Sequence, residues 1–225
     1  MFRRIIVIDF ETNGLAERKA TSNYYTLPWQ NYPCQLSVDI VEDGETWHAF
    51  DTLIRGATRF GRWSANNLSF TVEEANEKGV ELAEAIDRLA ALITPGATIV
   101  AHNISFDMDQ CLARTAKKLG YDSVGLQRVL TAPRFCTYRC EYSKLLFGNK
   151  ASLEALCKHF EVDYCKEKAH DASYDTCVLA ACVAAALRRG VMWKEQGWME
   201  QWWKEQGWKG GRVKEQRDDR VKGEG

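Results

Sequence analysis

The pattern of apolar residues predicts three strands in the first quarter of the chain. The run Ile5–Ile8 is short, continuous and β-branched, which is typical of a strand buried on both faces of a sheet. Two further strands are predicted at Gln35–Val41 and Thr46–Ile54, because the turn sequence Glu-Asp-Gly separates them. We therefore expect an antiparallel meander of three strands.

Helical spacing begins near Thr71. Thr71 and Glu74 have the spacing of a capping box, and apolar residues between Val80 and Ile93 recur at helical intervals. Three further helices and two further strands follow, namely helices at Phe106–Leu119, Ser152–Phe160 and Ala172–Arg188 and strands at Ala97–Ala101 and Phe135–Tyr138. This order of elements indicates an α/β fold in which a mixed five-stranded sheet has helices on both faces.

The composition changes sharply after Gly190. The hexapeptide that begins at Trp193 recurs at Trp203, and this repeat is too short for a solenoid unit of about 20–50 residues. Residues 210–225 have the charged, glycine-containing composition of a disordered tail. We therefore divide the chain into a folded domain at 1–190 and a Trp-rich, flexible tail at 191–225. The tail tryptophans are candidates for contact with a partner protein or with a second copy in a homodimer.

The overall composition indicates a globular protein and argues against a simple DNA-binding module. Hydrophobic residues make up 45% of the chain and charged residues 27%, which is ordinary for a globular domain. The formal net charge is −1. A module that holds DNA by electrostatics alone needs a broad basic face, which this charge balance does not indicate.

We expect a soluble, intracellular protein of the cytoplasm or nucleus, with no membrane contact. No apolar stretch approaches the roughly 20 residues that span a bilayer, and the N-terminus does not resemble a signal peptide. The eight cysteines are interpreted as reduced thiols, because several occupy apolar helical positions. Zinc binding by Cys136, Cys140 and His159 is an alternative, but their spacing is not that of a zinc finger.

Acidic residues occur in three short segments, each at a predicted strand end or helix start. Asp9 and Glu11 follow the first strand, and residues two apart on a strand point to the same face. Asp107 lies in the first turn of the helix after the strand Ala97–Ala101, and Asp175 lies one turn into the last helix. Ligand sites collect at the carboxyl ends of the strands in α/β sheets.

Each segment also has a purely structural explanation. An Asp-x-Glu sequence is a common polar strand end, and Asp107 is favourable to the dipole of its helix. His170 stands before the last helix, where a lone histidine beside a carboxylate is more often structural than catalytic. Asp171 could serve only as the N-cap of that helix. It is much less plausible that all three segments have these residues at these places by chance than that one segment does.

Together the three segments resemble the motifs of the DEDDh exonuclease family. This family is also called DnaQ-like, has an RNase H-like fold, and includes proofreading exonuclease subunits and RNase T. Its first motif, D-x-E-T-x-G, matches residues 9–14. Its second motif, H-N-x-x-F-D, matches residues 102–107, and its third, H-x-A-x-x-D, matches residues 170–175. The resemblance covers roughly Ile5–Leu187 and leaves out the Trp-rich tail.

The resemblance implies a metal-dependent 3′→5′ exonuclease that releases nucleoside 5′-monophosphates. Two Mg²⁺ or Mn²⁺ ions about 4 Å apart would clamp the attacking and leaving oxygens, and such hard cations prefer carboxylate ligands. Asp9 would bridge both ions, Glu11 and Asp175 would complete one site, and Asp107 would serve the other. His170 would be the general base, because an imidazole titrates near neutral pH.

The resemblance also indicates residues that contact the substrate, which would be a single-stranded or frayed 3′ end. DNA is favoured and RNA is the second choice. For Phe106, a position in the hydrophobic core is as good an explanation as contact with the substrate. The candidates for substrate binding are Thr12, Asn13, Leu15, His102, Asn103 and Phe106.

Two further sets of side chains each have two explanations. Aromatic residues of a loop either stack on bases or pack over the sheet edge, and basic residues either follow the phosphate backbone or form a solvated face. The aromatic set is Tyr24, Tyr25, Trp29 and Tyr32, and the basic set is Arg134, Arg139, Lys144 and Lys150. The alternative to an enzyme is a catalytically silent nuclease fold that binds nucleic acid or serves in assembly, which the complete set of five catalytic positions argues against.

Overall fold

The structure is a computed structural model that describes residues 4–14, 31–148 and 151–190. Several predictions fall outside these residues and stay predictions. They concern Leu15, the aromatic residues Tyr24, Tyr25 and Trp29, Lys150, and the Trp-rich tail at 191–225 with its proposed partner contacts. The division of the chain at residue 190 likewise remains a prediction.

The sheet has five strands in the order β3-β2-β1-β4-β5. Strands β1 and β2 are antiparallel, as are β2 and β3, whereas β4 is parallel to β1 and β5 is parallel to β4. The strands are β1 Ile5–Thr12, β2 Pro33–Glu42, β3 Glu45–Leu53, β4 Thr98–Ala101 and β5 Arg134–Cys136. The predicted meander and the mixed five-stranded sheet are both confirmed.

The turn between β2 and β3 is confirmed in detail. Asp43 and Gly44 have φ angles of 56° and 81°. Positive φ at both central residues gives a turn whose twist matches that of the flanking strands. Glycine takes this conformation without steric cost, and aspartate tolerates it better than most residues do. This turn therefore fixes the register of β2 against β3.

The described helices lie on both faces of the sheet, as predicted. One segment, Phe106–Ala113, is a π-helix that continues as an α-helix. The α-helices are α1 Arg62–Asn67, α2 Val72–Lys78, α3 Leu82–Leu92, α4 Arg114–Leu119, α5 Val124–Thr131, α6 Glu141–Phe147, α7 Leu153–Phe160 and α8 Ala172–Arg188.

Three short helices, α1, α5 and α6, were not predicted. They contain six, eight and seven residues, so each offers at most two turns of apolar periodicity to detect. Such helices are stabilised by tertiary packing rather than by intrinsic propensity. The π-helical geometry after Ser105 was also not predicted, because i→i+5 pairing has no simple sequence pattern. Segments of this kind occur often at functional sites.

The predicted start of α3 at Val80 is two residues too early. Val80 forms a parallel bridge with Ile54 at the end of β3, and its N–H donates to the Leu53 carbonyl at 2.9 Å. This pairing holds Val80 in an extended conformation, so α3 begins only after Glu81. The capping box at Thr71 is confirmed but belongs to the separate helix α2.

Side chains of β1 alternate between two hydrophobic cores. Ile6, Ile8 and Phe10 pack with residues of α3, α5 and the π-helix. Val7 packs on the other face with residues of α7 and α8. Because side chains two apart on a strand share a face, Asp9 and Glu11 lie on the face that α8 covers.

Strand β1 extends well beyond its parallel neighbour β4. The pairing with β4 ends at Val7, whereas β1 continues to Thr12 in pairing with β2. The carboxyl half of β1 therefore has one open edge at the point where β4 turns away into the π-helix. This open edge is where the acidic segments meet.

Membrane-spanning helices and disulfides are both absent from the described residues. None of their helices is long and apolar enough to cross a membrane. All eight cysteines lie in the described part of the chain and are unbridged.

The capping box of α2 gives a first testable prediction. The Thr71 hydroxyl accepts the Glu74 N–H at 3.2 Å, and the Glu74 carboxylate accepts the Thr71 N–H at 3.0 Å. Replacing Thr71 by alanine should lower the free energy of unfolding by about 1 kcal/mol, because one N-terminal N–H loses its acceptor. Urea denaturation would measure this change. Thr71→Ser keeps the acceptor and should be near wild type; equal loss in both variants would contradict the capping role.

Candidate active site

Helix α8 begins over the carboxyl half of β1 and carries Asp175 in its first turn. The Asp171 side chain caps it by accepting the N–H groups of Ser173 and Tyr174 at 3.0 and 3.3 Å. The predicted N-cap role of Asp171 is thus confirmed. Asp175 lies one turn further on and is free to face the sheet.

Polar side chains of β2 fix the position of this helix. Ser37 shares a 2.8 Å hydrogen bond with the Thr176 hydroxyl, and the Gln35 side-chain oxygen accepts the Ala172 N–H at 3.3 Å. In the sheet, Ser37 lies opposite Asp9, and Gln35 lies opposite Glu11. These two bonds therefore hold the start of α8 in register with the two acidic residues of β1. No motif of the sequence indicated them.

Asp107 completes the open edge of β1. Its Oδ1 accepts the N–H of Phe10 at 3.2 Å, which is a backbone donor that β4 does not reach. A short carboxylate in the first turn after β4 is the side chain that can satisfy this donor without another strand. The motif residue Asp107 therefore both ends the sheet pairing and brings a buried carboxylate to the site.

All five predicted catalytic residues line one pocket of about 560 Å³. Its size is within the usual range for ligand sites. It also receives Thr12, His102, Asn103 and Phe106 from the predicted substrate-binding set. The predicted catalytic residues that it brings together are Asp9, Glu11, Asp107, His170 and Asp175.

Glu11, His170 and Asp175 form the tightest part of this group. Their ligand atoms all lie within 4.8 Å of one another, and the His170 N–H donates to Asp175 Oδ2 at 3.0 Å. The other carboxylate oxygen, Asp175 Oδ1, is buried and has no hydrogen-bond partner in the described structure. A buried oxygen without a partner is costly, and a hard divalent cation is the ligand that would satisfy it.

The electrostatics of the carboxylates favour such a cation. Burial raises the pKa of Glu11 well above its usual value, and the charge of Asp175 raises it further. Burial also raises the pKa of Asp9, with additional repulsion from Asp107 and Glu11. Carboxyl groups that are close and desolvated resist simultaneous ionisation unless positive charge is supplied.

The pKa values of Asp107 and Asp175, the two carboxyl groups on helices, are raised in the same way. Burial raises the pKa of Asp107, although the N–H of Phe10 opposes the change. Burial raises the pKa of Asp175 to about 6, opposed by the hydrogen bond from His170. The donor set of two buried and two half-buried carboxyl groups therefore fits divalent cations that prefer oxygen ligands, such as Mg²⁺ or Mn²⁺.

His170 is held by its backbone and by an aromatic contact. Its φ angle is 67°, which is uncommon for a residue with a side chain, and its N–H is bound to Asp175. The imidazole packs edge-to-face with the indole of Trp63 at a centroid distance of 4.8 Å. Partial burial lowers its pKa, so the ring is neutral and able to accept a proton at pH 7.

His102 has a structural environment although it lines the same pocket. Nε2 lies 2.9 Å from the Ala151 carbonyl and therefore carries the hydrogen, and Nδ1 accepts from the Thr137 hydroxyl at 3.0 Å. Burial lowers the pKa of His102 to about 4. Both ring nitrogens are thus used within the protein. His102 joins β4 to the segment before α7 and can contact a substrate only through its ring surface.

Asn103 and Asn13 occupy different environments. Asn103 lines the pocket with a φ angle of 91°, and its Oδ1 is buried without a hydrogen-bond partner among the described residues. Asn13 does not line the pocket; its Oδ1 accepts the N–H of Tyr32 at 3.0 Å and so holds the chain beside β2. The substrate roles proposed for these residues remain predictions.

Tyr32 and Arg134 are both engaged in contacts within the protein. Tyr32 is buried, and its hydroxyl donates to the Arg55 carbonyl at 2.7 Å, so it packs at the sheet edge. Arg134 pairs with Asp109 at 2.8 Å. Within the described residues, the one group of metal-ligating side chains is the acidic cluster with His170, and zinc binding by the cysteines receives no support.

Several pocket residues were missed by the sequence analysis. They come from α1, from the turn after β5 and from the region of α7, none of which carries a family motif. Only the pattern of aromatic and charged residues near short unpredicted helices could have indicated them, and that pattern is not specific. The main missed residues are Trp63, Tyr138, Glu154 and Tyr164, whereas Arg139 was already a candidate for contact with the phosphate backbone.

A family model of exonucleases, RNase T, matches residues 6–183 of the chain. The chain belongs to this exonuclease family. The match spans all three motifs and ends inside α8, which confirms the resemblance drawn from the motifs. A comparison of this chain with curated proteins found no significant match.

Solved structures with the same fold include exonucleases that were crystallised with DNA. Exonuclease X in complex with 5′-overhanging duplex DNA is 19% identical, with a TM-score of 0.55 over 87% of this chain and 98% of that one. Exonuclease I of E. coli with a dT13 oligonucleotide is 18% identical, with a TM-score of 0.60 over 83% of this chain and 41% of that one.

A further similar structure is exonuclease I from Methylocaldum szegediense. It is 18% identical, with a TM-score of 0.57 over 83% of this chain and 41% of that one. The chain thus spans less than half the length of the exonuclease I proteins. At these identities the likeness shows the fold alone.

The acidic cluster predicts that divalent cations stabilise the protein. The pKa values of the folded-state carboxyl groups are raised, for Asp175 to about 6. Their stabilising contribution is therefore complete at pH below about 4 and is lost as the pH rises through the folded-state values. Metal-free protein should thus melt lower at pH 8 than at pH 5. Saturating Mg²⁺ or Mn²⁺ should raise Tm by roughly 5–10 °C, and more at pH 8, because protons then compete less.

Glu11→Gln tests whether the cluster is the binding site. This variant keeps the side-chain shape but can neither ionise nor bind a cation as a carboxylate, so its metal-free Tm should equal or exceed that of the wild type, and the cation-induced shift should shrink. Glu154→Gln, which changes an exposed carboxylate of the same pocket, is the matched control and should keep the shift. If Glu11→Gln showed the full cation-induced shift in Tm, the cation would bind elsewhere in the protein.

Proposed function

We propose that the protein is a metal-dependent 3′→5′ exonuclease that releases nucleoside 5′-monophosphates from single-stranded or frayed 3′ ends. The observation that carries this proposal is the meeting of four carboxylates from three separate motifs, together with His170, in one pocket. The family match makes nuclease chemistry the natural use of this arrangement. The direction of degradation and the number of ions belong to the proposal.

The four carboxylates serve to hold cations next to the scissile phosphate. Two bound divalent cations would neutralise the carboxylates, bind the phosphate oxygens and stabilise the charge that develops in the transition state. By resemblance to the family, Asp9 would be shared between them, and its carboxyl group interacts with the charges of Asp107, Glu11 and Asp175. The unpaired Oδ1 of Asp175 supplies a further ligand atom.

His170 serves as the general base. A neutral imidazole accepts the proton of the attacking water, which raises the nucleophilicity of that water during in-line displacement. The lowered pKa keeps the ring neutral at pH 7. The backbone bond from His170 to Asp175 fixes the distance between the base and the acidic cluster, so the water can be held between them.

The pocket favours an unpaired terminal nucleotide as the substrate. Its walls combine aromatic residues with a single cationic side chain, Arg139, among the described lining residues. Aromatic walls accept a base of any identity by stacking. We favour DNA over RNA because exonucleases X and I, which share the fold, were solved with DNA. RNA remains the second substrate to test.

A nuclease assay tests the proposal directly. Single-stranded DNA and RNA of equal length, labelled at the 5′ end, are incubated with Mg²⁺, Mn²⁺ or EDTA. We expect a metal-dependent ladder of labelled products that shortens from the 3′ end. Asp107→Asn and Asp175→Asn should lose at least about 100-fold in kcat because cation stabilisation of the transition state is impaired. His170→Ala should lose about 10²–10⁴-fold in kcat.

Asp109→Asn is the matched control for these variants. Asp109 follows Asp107 closely on the same helix but is exposed and pairs with Arg134 outside the pocket, so activity should be unchanged. Immediate release of the labelled terminal nucleotide would indicate the opposite direction. Binding of the oligonucleotide without cleavage under any metal, by folded protein, would support the catalytically silent module instead.

Arg139 should contribute to affinity for the substrate backbone. It is exposed, lines the pocket, and forms no ion pair or hydrogen bond with the other described residues. Arg139→Ala should raise KM with little change in kcat. The slope of log Kd against log salt should become shallower by about 0.7, the value for one phosphate contact on a single strand. Fluorescence anisotropy with inactive Asp175→Asn protein would measure this slope.

Arg134→Ala provides the control for Arg139. Arg134 is five residues earlier, but its guanidinium pairs with Asp109 and donates to the Leu130 carbonyl at 2.7 Å. Its removal should leave the salt dependence unchanged. Equal salt slopes for wild type and Arg139→Ala would exclude a phosphate contact by Arg139.

A further inference from the structure

Helix α1 is attached by hydrogen bonds to the carboxyl end of β1. The Ser64 hydroxyl donates to the Thr12 carbonyl at 2.9 Å, and the Gly61 N–H donates to the Asn13 carbonyl at 2.7 Å. Ser64 is completely buried. Trp63 lies between Gly61 and Ser64 in sequence, so these bonds hold it beside the end of β1 that carries Glu11. A six-residue helix has little stability of its own, so its position is set by this attachment.

The Trp63 side chain remains accessible after the protein has folded. It is 41% exposed although it lines the pocket. Its contact with His170 is edge-to-face, with an interplanar angle of 80°. Such a contact covers at most one face of the indole, and the exposed fraction of the side chain leaves part of the ring accessible to a ligand in the pocket. Nothing in the packing of the described residues requires a large aromatic ring with an open face here.

We propose that the open face of Trp63 stacks on the base of the 3′-terminal nucleotide. This inference rests on the proposed exonuclease function. During in-line displacement the attacking water lies opposite the leaving oxygen, and the leaving oxygen belongs to the penultimate nucleotide. The general base His170 is therefore on the side of the phosphorus away from the penultimate nucleotide, which leaves the terminal nucleotide as its neighbour. Trp63 contacts His170 and lies on that same side.

Stacking on an indole face would recognise a base without reading its identity. Every base has a π face, and single-strand binding proteins use aromatic side chains in this way. Loss of one such contact corresponds to roughly a 5-fold to 150-fold loss of affinity. Because the base stacks equally in the ground state and the transition state, the loss should appear in KM rather than in kcat.

The test combines variants of the protein with removal of the base from the substrate. Three DNA oligonucleotides are compared: one intact, one with an abasic 3′-terminal nucleotide and one with an abasic penultimate nucleotide. Trp63→Leu keeps an apolar side chain beside His170 but cannot stack. Trp63→Phe keeps a smaller aromatic ring. KM and kcat are measured for each pair with Mg²⁺.

We expect Trp63→Leu to raise KM at least 5-fold on the intact and penultimate-abasic substrates. On the terminal-abasic substrate it should have little effect, because the base that Trp63 contacts is already missing. Trp63→Phe should lie between Trp63→Leu and the wild type. Trp47→Leu is the matched control, because Trp47 is 42% exposed on β3 and lies outside the pocket, and all its values should equal wild type.

Other outcomes would overturn the inference in distinct ways. An equal loss in kcat on all three substrates would mean that Trp63 only positions His170. Selective rescue by the penultimate-abasic substrate would assign Trp63 to the next base instead. If wild-type protein degrades the intact oligonucleotide and Trp63→Leu does so with an unchanged KM, the stacking contact is absent. If folded wild-type protein degrades none of the substrates, the proposed function itself fails.

Discussion

Repulsion among four buried or half-buried carboxylates is the constraint on which the site of this structure is organised. Two of these groups project from the same face of β1, and the others come from the π-helix and from α8. Burial and mutual charge raise their pKa values, so the metal-free pocket is less stable than an apolar pocket would be. The cores on both faces of the sheet supply the stability that tolerates this cost. The arrangement of the candidate cation site is therefore maintained by packing at some distance from it.

The extension of β1 past β4 creates the space for this site. A strand with one open edge exposes a backbone donor, which Asp107 satisfies at Phe10. The same open edge leaves room for α1, whose residue Trp63 contacts His170. The turn after β5 brings Arg139 to the pocket. Because β5 is two strands from β1, and strands are about 4.8 Å apart, roughly 10 Å separates this turn from the acidic strand. The pocket is thus long enough for more than a single phosphate.

The sequence predicted the sheet, the long helices and the motif residues because each has a periodic or specific signal. The strand Ile5–Ile8 was recognised from its apolar run, but its continuation to Thr12 was not, since Asp9 and Glu11 are polar and the pairing with β2 alone extends it. The helix Ala172–Arg188 was predicted to the residue. Trp63 could not be predicted as a pocket residue, because short elements are placed by tertiary contacts rather than by local pattern. Arg139 was named only within a basic set that had two explanations.

The polar residues of β2 explain how α8 keeps its register. Helix α8 faces the sheet largely with alanine and other small residues, which allow close approach but provide few large side chains to fix a helix along its axis. Strand β2 is buried at every position but its last, so its polar side chains need bonded partners. Ser37 and Gln35 find them at Thr176 and at the N–H of Ala172. A shift of α8 by one residue would leave these groups buried and unpaired. The distance between Glu11 and Asp175 is therefore set by hydrogen bonds that touch neither carboxylate.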